Sequence, residues 1–383
     1  MRIVTAGIGL RAGHVLSILC KKMPEANIVG FYDPQPAHLE MIGLDTPRYN
    51  SVESMLSGAN PDLFFIGSPN EFHLEQITLG LKAGVVIFTE KPVVVSLQQT
   101  MELAALLAKH KSARVIVGLV LRHSQHMIDL RTAIDSEVLG SIASLEANEH
   151  IAPYHGAFFM RDWRRMNRHS GGFMLEKCCH DLDLYNMITG SRPKRVASFG
   201  GRRSFLPAHA PASNSESDIF HIKKSVWNSV DDPFHSDGDI VDCQTALVEF
   251  ESGASMSFHT NTNVSDEHRR FCVIGAKGMA EGDFVRRYLK ITRRDGSLFA
   301  NHDYSKSEIT DNSAHYGADH LMVQDVVEFL REEKNGLPVS IVDALEAGIG
   351  ALAIDQARAS GQIVDLSPIW EEFDSYNLRV QKE

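Results

Sequence analysis

Three titratable residues in one short segment have the types and spacing that proton transfer requires. In GGFMLEKCCHDLDLYNMITG, Glu176 and His180 are four residues apart, and Asp183 follows three residues later. A single helix from about Gly172 to Ile188 would place these side chains on one face. A neutral imidazole accepts a proton near physiological pH, and a carboxylate one turn away can fix its tautomer or charge. The pattern predicts a general base, His180, supported by Glu176; a histidine packed in a helix interface is the alternative.

A lysine is predicted to reach the same chemistry from another part of the chain. Lys91 follows the apolar run VVIFTE, which is typical of a buried strand, and precedes Pro92. Open α/β sheets bind ligands beyond the carboxyl ends of their strands. We therefore expect Lys91 to stabilise an alkoxide, or to act as the acid or base itself, while Glu90 anchors the strand end. A solvated surface lysine is the alternative.

Adjacent cysteines in the histidine segment raise the question of a metal site. Cys178, Cys179 and His180 are consecutive, and consecutive helical side chains point about 100° apart, so they cannot easily close on one ion. A metal held by Glu176 and His180 is the alternative to no metal. The chain has five cysteines, an odd number that suits reduced thiols better than a disulfide framework.

The first 120 residues alternate strand and helix patterns, and these elements must position Lys91. The strands are predicted in RIVTAG, NIVGFYD, DLFFIG, VVIFTE and RVIVG, with helix patterns between them, including a polar candidate from Pro36 to Met41. Strands that are apolar on both faces indicate a parallel sheet covered by helices. Residues 1–120 are therefore predicted to form a doubly wound α/β domain.

The first turn of this domain has the pattern of a dinucleotide site. GIGLRAG places Gly7 and Gly9 between strand and helix, followed by Arg11 and Ala12, and Asp33 ends the second strand. Glycines let backbone N–H groups approach a pyrophosphate, which the helix N-terminus stabilises. A carboxylate at the end of the second strand can accept the adenosine ribose hydroxyls and would repel a 2′-phosphate. The pattern favours NAD over NADP; a structural turn is the alternative.

Another strand ends in the same crevice. FFIGSPNEFHLE places Ser68 and Asn70 directly after a predicted strand, with His73 on the helix that follows. Asn70 is predicted either to face the cofactor or to cap that helix.

The chain beyond residue 120 has a different pattern. Extended or alternating segments follow one another with few helices between them, as in SIASLEANEHIA, DCQTALVEFE and ASMSFHTNTN. Residues 121–383 are therefore predicted to form an α+β domain around a largely antiparallel open sheet. Residues 206–240 are polar and long for a connector, so we expect a lid or a mobile insertion. Arg122 is predicted to reach the substrate or to begin a solvated helix.

Composition excludes several kinds of partner. A net charge of -11 repels phosphate backbones and anionic lipid, so neither nucleic acid nor membrane is expected. The first residues lack the pattern of a signal peptide, and no stretch approaches 18 uninterrupted apolar residues, which favours the cytoplasm.

Six motifs in order give the chain a family resemblance. The G-x-G turn, SPNEFH, EKP, DWRRMNRHSGGFMLEKCCHDLDL, RRFCVIGAKGMAEGD and HYGADHLMVQDVVEFL together resemble the Gfo/Idh/MocA oxidoreductases. The resemblance implies a Rossmann domain and a substrate domain, contact of Trp163 and Arg164 with cofactor or substrate, and a homo-oligomer, either dimer or tetramer. A structural tryptophan packed under the guanidinium is the alternative for Trp163 and Arg164. The family has an aspartate four residues before the histidine, where this chain has the longer Glu176.

The resemblance implies NAD-dependent oxidation of a secondary hydroxyl of a sugar, cyclitol or derivative, with a neutral polyol favoured. A regulatory protein that binds the dinucleotide without redox chemistry, and an enzyme that cleaves glycosides through transient oxidation, are the alternatives. The candidate catalytic residues are Lys91, His180 and Glu176. The candidate cofactor-binding residues are Gly7, Gly9, Arg11, Ala12, Asp33, Ser68, Asn70, His73, Glu90, Lys91, Trp163 and Arg164. The candidate substrate-binding residues are Lys91, Arg122, Glu176 and His180.

Overall fold

A computed structural model describes residues 1–212, 218–221, 225–306 and 315–379. Part of the predicted 206–240 insertion therefore lies outside the described residues. Two sheets organise the described part of the chain.

The first sheet has the predicted parallel arrangement. Its five described strands follow the order β2-β1-β3-β4-β5, and every neighbouring pair is parallel. The strands are β1 (Arg2–Ala6), β2 (Asn27–Tyr32), β3 (Leu63–Ile66), β4 (Val86–Thr89) and β5 (Val115–Val117). The connecting helices are α1 (Leu10–Lys22), α2 (Val52–Ala59), α3 (His73–Ala83) and α4 (Leu97–Lys109). The sheet order reverses between β1 and β3, which is where such sheets bind ligands.

Two local predictions in this half were incomplete. The polar candidate from Pro36 to Met41 forms only a 3-10 turn, Leu39–Met41. The helix α2, which the sequence patterns did not indicate, begins at a capping box in which Ser51 and Ser54 satisfy each other's backbone N–H groups.

The second sheet is mixed and mostly antiparallel, as predicted. Its nine described strands follow the order β13-β12-β11-β10-β6-β9-β8-β7-β14, and only the β6–β9 pair among them is parallel. The strands are β6 (Ile142–His150), β7 (Pro193–Gly201), β8 (Cys243–Phe250), β9 (Ser255–Asn261), β10 (Arg270–Gly275), β11 (Gly278–Asp283), β12 (Tyr288–Arg293), β13 (Leu298–Asp303) and β14 (Val364–Asp365).

One face of this sheet is covered and the other is open. Along β8 and β9, buried and less buried residues alternate, so one face packs against helices. On the open face, Phe199 of β7 and Leu247 of β8 keep 76% and 57% of their surface exposed. This face therefore presents large apolar side chains to its surroundings.

Helices from the second half return to the first sheet. The helices beyond β5 are α5 (Gln125–Asp135), α6 (Pro153–Arg161), α7 (Asn167–Ser170), α8 (Phe173–Glu176), α9 (Cys179–Thr189), α10 (Ala318–Leu330), α11 (Ile341–Ser360) and α12 (Ser367–Ser375). Of these, α10 packs against α1, and α11 packs against α4 and β5. The division at residue 120 stays a prediction, because these late helices contact the first sheet's layers. None of the helices in the described ranges combines the length and hydropathy needed to cross a membrane.

Candidate active site

The central contact joins the end of β4 to the end of α8. Lys91, two residues beyond β4, donates from Nζ to the backbone oxygen of Glu176 over 2.6 Å and lies 3.5 Å from its carboxylate Oε1. Because α8 ends at Glu176, this carbonyl is one of the acceptors that a helix end leaves without an intrahelical partner. The Lys91 ammonium therefore contacts both the C-terminal end of α8 and the carboxylate of its last residue.

This geometry corrects the predicted continuous helix from Gly172 to Ile188. The segment forms two helices, α8 and α9, which are separated at Lys177 and Cys178. Glu176 therefore serves Lys91, and it makes no described hydrogen bond with His180. The break could not be read from side-chain periodicity, because the same apolar spacing continues across it.

The Glu176 carboxylate is buried and fully engaged. Asn70 Nδ2 donates to Oε2 over 2.5 Å, and Arg164 Nε donates to Oε1 over 2.7 Å. Burial alone would raise the pKa of Glu176, but Lys91 and Arg164 outweigh it, so the pKa is lowered. The carboxylate stays ionised and locks Lys91, Asn70 and Arg164 into one network.

His180 is placed as a neutral base. It is 4% exposed, and its buried Nδ1 makes no hydrogen bond with the described residues. Burial lowers the pKa of His180 well below its usual value, and the nearby Lys91 lowers it further. A neutral imidazole beside an ammonium is suited to receive a proton from a hydroxyl that the ammonium polarises.

Sequence reasoning did not single out two further histidines, His155 and His315. Burial lowers the pKa of His155 on α6, and the charges of Lys177 and Lys91 lower it further. The histidine His315 faces His180, with ring centroids 5.9 Å apart. The signal for His315 was present as a His-x-x-x-Asp spacing in HYGAD, which predicts an imidazole and a carboxylate one helical turn apart.

The first β-α turn fits a dinucleotide. Gly7 has φ +81°, and a Cβ there would lie 2.5 Å from the backbone nitrogen of Ser68, so only glycine fits. Gly9 precedes α1, which has no side-chain cap, and a Cβ on Gly9 would meet nothing within 4 Å. The uncapped helix N-terminus beside open space is the arrangement that a pyrophosphate needs. Ala12 packs closely against Gly67, because a Cβ added to Gly67 would lie only 2.5 Å from the Cβ of Ala12.

Asp33 stands at the end of β2 as predicted. Its Oδ2 accepts from the backbone N–H of Ile8 over 2.7 Å, and its Oδ1 accepts from that of Gln35 over 2.8 Å. Arg48 Nη2 donates to the backbone oxygen of Asp33 over 2.9 Å. The predicted ribose acceptor is therefore also the residue that shapes the turn, with an arginine next to it.

Three predicted cofactor residues make contacts within the protein, and their contact with a cofactor stays a prediction. His73 is fully buried, with Nδ1 2.8 Å from the Pro92 oxygen and Nε2 2.9 Å from the Ser68 oxygen, so it ties two strand ends together. The Ser68 hydroxyl donates to Gln76 over 2.8 Å. Glu90, at the end of β4, is buried, and its carboxylate lies 3.0 Å from Nε of Arg11, which lies near the start of α1.

Arg122 does not form a solvated helix start. Its guanidinium makes a two-point contact with Asp183, at 2.8 Å from Nε and 2.6 Å from Nη2, and donates to the Pro338 oxygen. Burial raises the pKa of Asp183 to about 6, although Arg122 opposes the shift. Substrate contact by Arg122 stays a prediction and would require this ion pair to open. Asp183, which was expected beside His180, lies on the same helix and is paired with Arg122.

The described part of the insertion closes over Trp163 and Arg164. Arg164 stacks on the Trp163 ring at 4.1 Å, and Trp227 of the insertion lies 6.2 Å from Trp163 and 6.0 Å from Phe72, centroid to centroid. The backbone N–H of Ser225 donates to buried Asp162, which also pairs with Arg164. The insertion therefore contacts both halves of the molecule beside the site.

Both halves match models of one protein family. Residues 1–119 match the model described as "Oxidoreductase family, NAD-binding Rossmann fold" (GFO_IDH_MocA), and residues 131–366 match "Oxidoreductase family, C-terminal alpha/beta domain". Together the two models cover well over half of the chain.

Individual relatives are distant but extend over nearly the whole chain. A Bacillus subtilis (strain 168) protein that carries an oxidoreductase name, YteT, is 22% identical, covering 92% of this chain and 94% of its own. The scyllo-inositol 2-dehydrogenase (NAD(+)) of the same strain is 24% identical, covering 92% and 93%. Among solved structures, scyllo-inositol dehydrogenase from Lactobacillus casei, with bound NAD(H) and scyllo-inositol, matches with TM-score 0.71 at 20% identity, covering 96% and 99%. At this identity the structural match establishes the fold.

Proposed function

Because this chain belongs to the Gfo/Idh/MocA oxidoreductase family, we propose that it oxidises a secondary hydroxyl of a sugar, a cyclitol or a derivative of one. The observation that carries the proposal is the contact of Lys91 Nζ with Glu176. It brings an ammonium from the mouth of the first sheet to the segment that holds His180. The uncapped start of α1 lies at the same edge of that sheet.

In the proposed reaction, His180 accepts the proton of the substrate hydroxyl. Lys91 donates a hydrogen bond to the same oxygen and stabilises the negative charge that develops there. NAD, when bound, supplies the acceptor for the hydride that leaves the carbinol carbon. Glu176 keeps Lys91 in place, and Asn70 and Arg164 in turn hold Glu176.

The proposed cofactor site follows the first turn. Gly7 and Gly9 allow the backbone to approach the pyrophosphate, and Asp33 accepts the ribose hydroxyls. Trp163 and Arg164, which stack on each other at 4.1 Å, are the proposed contacts for a nicotinamide or a substrate ring.

The charges around the crevice favour an uncharged polyol over a phosphorylated substrate. Lys91 and Arg164 both contact Glu176, and Lys177 contacts Glu149 at 3.1 Å. Since each of these three cations has a carboxylate partner, none is left to neutralise a phosphate. Hydroxyl groups, which both donate and accept, suit a site lined by neutral imidazoles. The scyllo-inositol dehydrogenases among the similar proteins support the same class.

The open sheet face supports a homo-oligomer, either a dimer or a tetramer. Phe199, Leu247 and Met279 are exposed on strands β7, β8 and β11. Large apolar side chains on an open sheet face are typical of a subunit interface.

One assay separates the proposed reaction from its alternatives. The purified protein is incubated with NAD and a panel of cyclitols and free and glycosidically linked sugars, and both NADH absorbance and product identity are followed. Net NADH with a ketone product supports the dehydrogenase. Bond cleavage without net NADH would indicate transient oxidation, and dinucleotide binding without turnover on any substrate would indicate a regulatory protein. Either of the last two results contradicts the proposal.

A further inference from the structure

A second imidazole faces the reaction centre from a distant part of the chain. His315 lies directly before α10, and its ring centroid is 5.9 Å from that of His180. Rings at this separation are close enough for one hydroxyl or water molecule to bridge them. The return of α10 to the layers of the first sheet brings His315 to this position.

A buried carboxylate orients the His315 ring. Nδ1 of His315 lies 3.1 Å from Oδ2 of Asp319, which is fully buried one helical turn further on. Arg11 Nη1 donates to the other oxygen of Asp319 over 2.6 Å, and Arg11 Nε contacts Glu90. A carboxylate held in this way favours a proton on Nδ1 and leaves the Nε2 lone pair free to accept another.

His315 and His180 differ in their access to solvent. The His180 ring is 4% exposed, and its Nδ1 has no partner among the described residues, whereas the His315 side chain keeps 30% of its surface exposed. Burial lowers the pKa of both imidazoles, but Asp319 offsets part of this effect at His315. A proton is therefore held more easily on His315, and it can leave from there.

The other ionisable groups near His315 allow its imidazole to take up a proton. The groups that face it or Asp319 are Arg11 and His14 of α1, His155 of α6, Lys177, and His180 of α9. Among these groups and Asp319, only Asp319 is a carboxylate in contact with the ring. Asp319 is thus the group that makes a positive charge on His315 tolerable.

We propose that His315 relays the proton of the reaction between His180 and solvent. The inference rests on the proposed dehydrogenase function. In the oxidation direction, the substrate O–H bond breaks and its proton goes to His180, while the C–H electron pair leaves with the hydride and the oxygen lone pair completes the carbonyl. His180 then transfers its proton to Nε2 of His315, which releases it to water, and both imidazoles return to their neutral forms.

The test replaces the imidazole while keeping a donor toward Asp319. His315→Gln should lower kcat on the order of 10²-fold with little change in dinucleotide affinity, because the amide donates a hydrogen bond but does not take up and release a proton near neutral pH. His315→Ala should regain activity when imidazole is added, and its kcat should rise with buffer concentration. His302→Gln is the matched control, since the exposed His302 lies 3.7 Å from Asp129 and contacts none of the candidate site residues among the described contacts, so it should keep wild-type kinetics.

Several outcomes would contradict the proton relay through His315, and they can be distinguished from a failure of the proposed dehydrogenase function. A His315→Gln enzyme with wild-type kcat and pH profile, or a His315→Ala enzyme that imidazole and buffer leave unchanged, would contradict it while the dehydrogenase stands. If the wild type oxidises nothing, the proposed function fails; histidine NMR of the NAD-bound protein then decides, because His315→Gln should alter the titration of His180. If the His180 titration is the same in His315→Gln as in the wild type, the proton relay is contradicted. If His315→Gln does not fold, a wild-type proton inventory that shows a single exchanging proton contradicts it.

Discussion

The Nζ atom of Lys91 lies 2.6 Å from the backbone oxygen of Glu176, 85 residues further along the chain. Lys91 follows a strand of the parallel sheet, and Glu176 ends the helix α8, which packs against α11. The contact forms only when both halves are folded and docked. Catalytic competence should therefore depend on the docking as much as on the two residues.

Removal of the ammonium should strongly slow turnover while the dinucleotide still binds. Lys91→Ala should lower kcat on the order of 10²- to 10³-fold, because the developing alkoxide loses its charged donor. The measurements are NADH formation and a fluorescence titration with NAD. Lys82→Ala, at the exposed end of α3, is the matched control. Unchanged turnover in Lys91→Ala would remove Lys91 from the mechanism.

The length of the acid at position 176 should matter as well as its charge. Glu176→Asp keeps the charge but withdraws the oxygens from Arg164 and Asn70, so we expect a kcat loss of about 10-fold and a stable fold. Glu176→Gln removes the carboxylate that Lys91 contacts and leaves Arg164 with Asp162 alone, so it should cost roughly 3 kcal/mol of unfolding free energy. Urea unfolding and kcat measure the two effects. Equal behaviour of the two variants would show that charge is unimportant here.

Cofactor preference should follow Asp33. Asp33→Asn removes the charge that repels a 2′-phosphate and leaves Arg48, whose Nη2 lies against the Asp33 and Pro34 oxygens, to contact one. We expect the ratio of kcat/KM for NAD over NADP to fall about 10²-fold, which steady-state kinetics with both cofactors would measure. The double variant with Arg48→Ala should lose the gain for NADP. A ratio unchanged by Asp33→Asn would contradict the assignment.

A buried histidine outside the active site should contribute to acid instability. His126 packs between the rings of Phe284 and Tyr304, and burial lowers its pKa to about 4. The ordinary pKa of this histidine in the unfolded chain is 6.5, so between pH 6.5 and about 4 the unfolded state binds a proton that the folded state does not bind. Stability from this group is thus complete above pH 6.5 and is lost as the pH falls from 6.5 toward 4.

His126→Phe should remove that part of the pH dependence. Between pH 6.5 and about 5, the wild type should lose roughly 2 kcal/mol more unfolding free energy than the variant does. Urea unfolding at the two pH values measures the difference. The exposed His320, replaced by Phe, is the control and should leave the wild-type slope unchanged. Parallel slopes for wild type and His126→Phe would contradict the prediction.

The insertion should act through Trp227. Trp227→Ala removes ring contacts with Phe72, Trp163 and His169, each worth about 1 kcal/mol. We expect KM to rise about 10-fold with a smaller change in kcat, because the crevice loses its cover and not its reacting groups. Steady-state kinetics measures the split, with the exposed neighbour Val226→Ala as the control. A variant with unchanged KM would show that the insertion has no part in binding.

Local patterns were sufficient for the fold class and for the cofactor. The strand and helix alternation, the glycines at positions 7 and 9, and a lysine directly after an apolar run are features of short segments. Their physical causes, side-chain periodicity and backbone freedom, act within a few residues. The parallel first sheet, the mostly antiparallel second sheet, the family and NAD are therefore confirmed, and the positions of Lys91 and Asp33 at strand ends agree with prediction.

Only the tertiary structure decided which ionisable side chains meet. The break between α8 and α9 turned Glu176 toward Lys91, Asp183 went to Arg122, and the return of α10 placed His315 against His180. These partners are 61 to 135 residues apart, and no periodicity relates them. The sequence by itself determined the residue types and the local elements, because those depend on neighbours along the chain. Pairing of buried charges was decided by docking of the two sheets, because desolvation makes each buried ion take the nearest opposite charge in space.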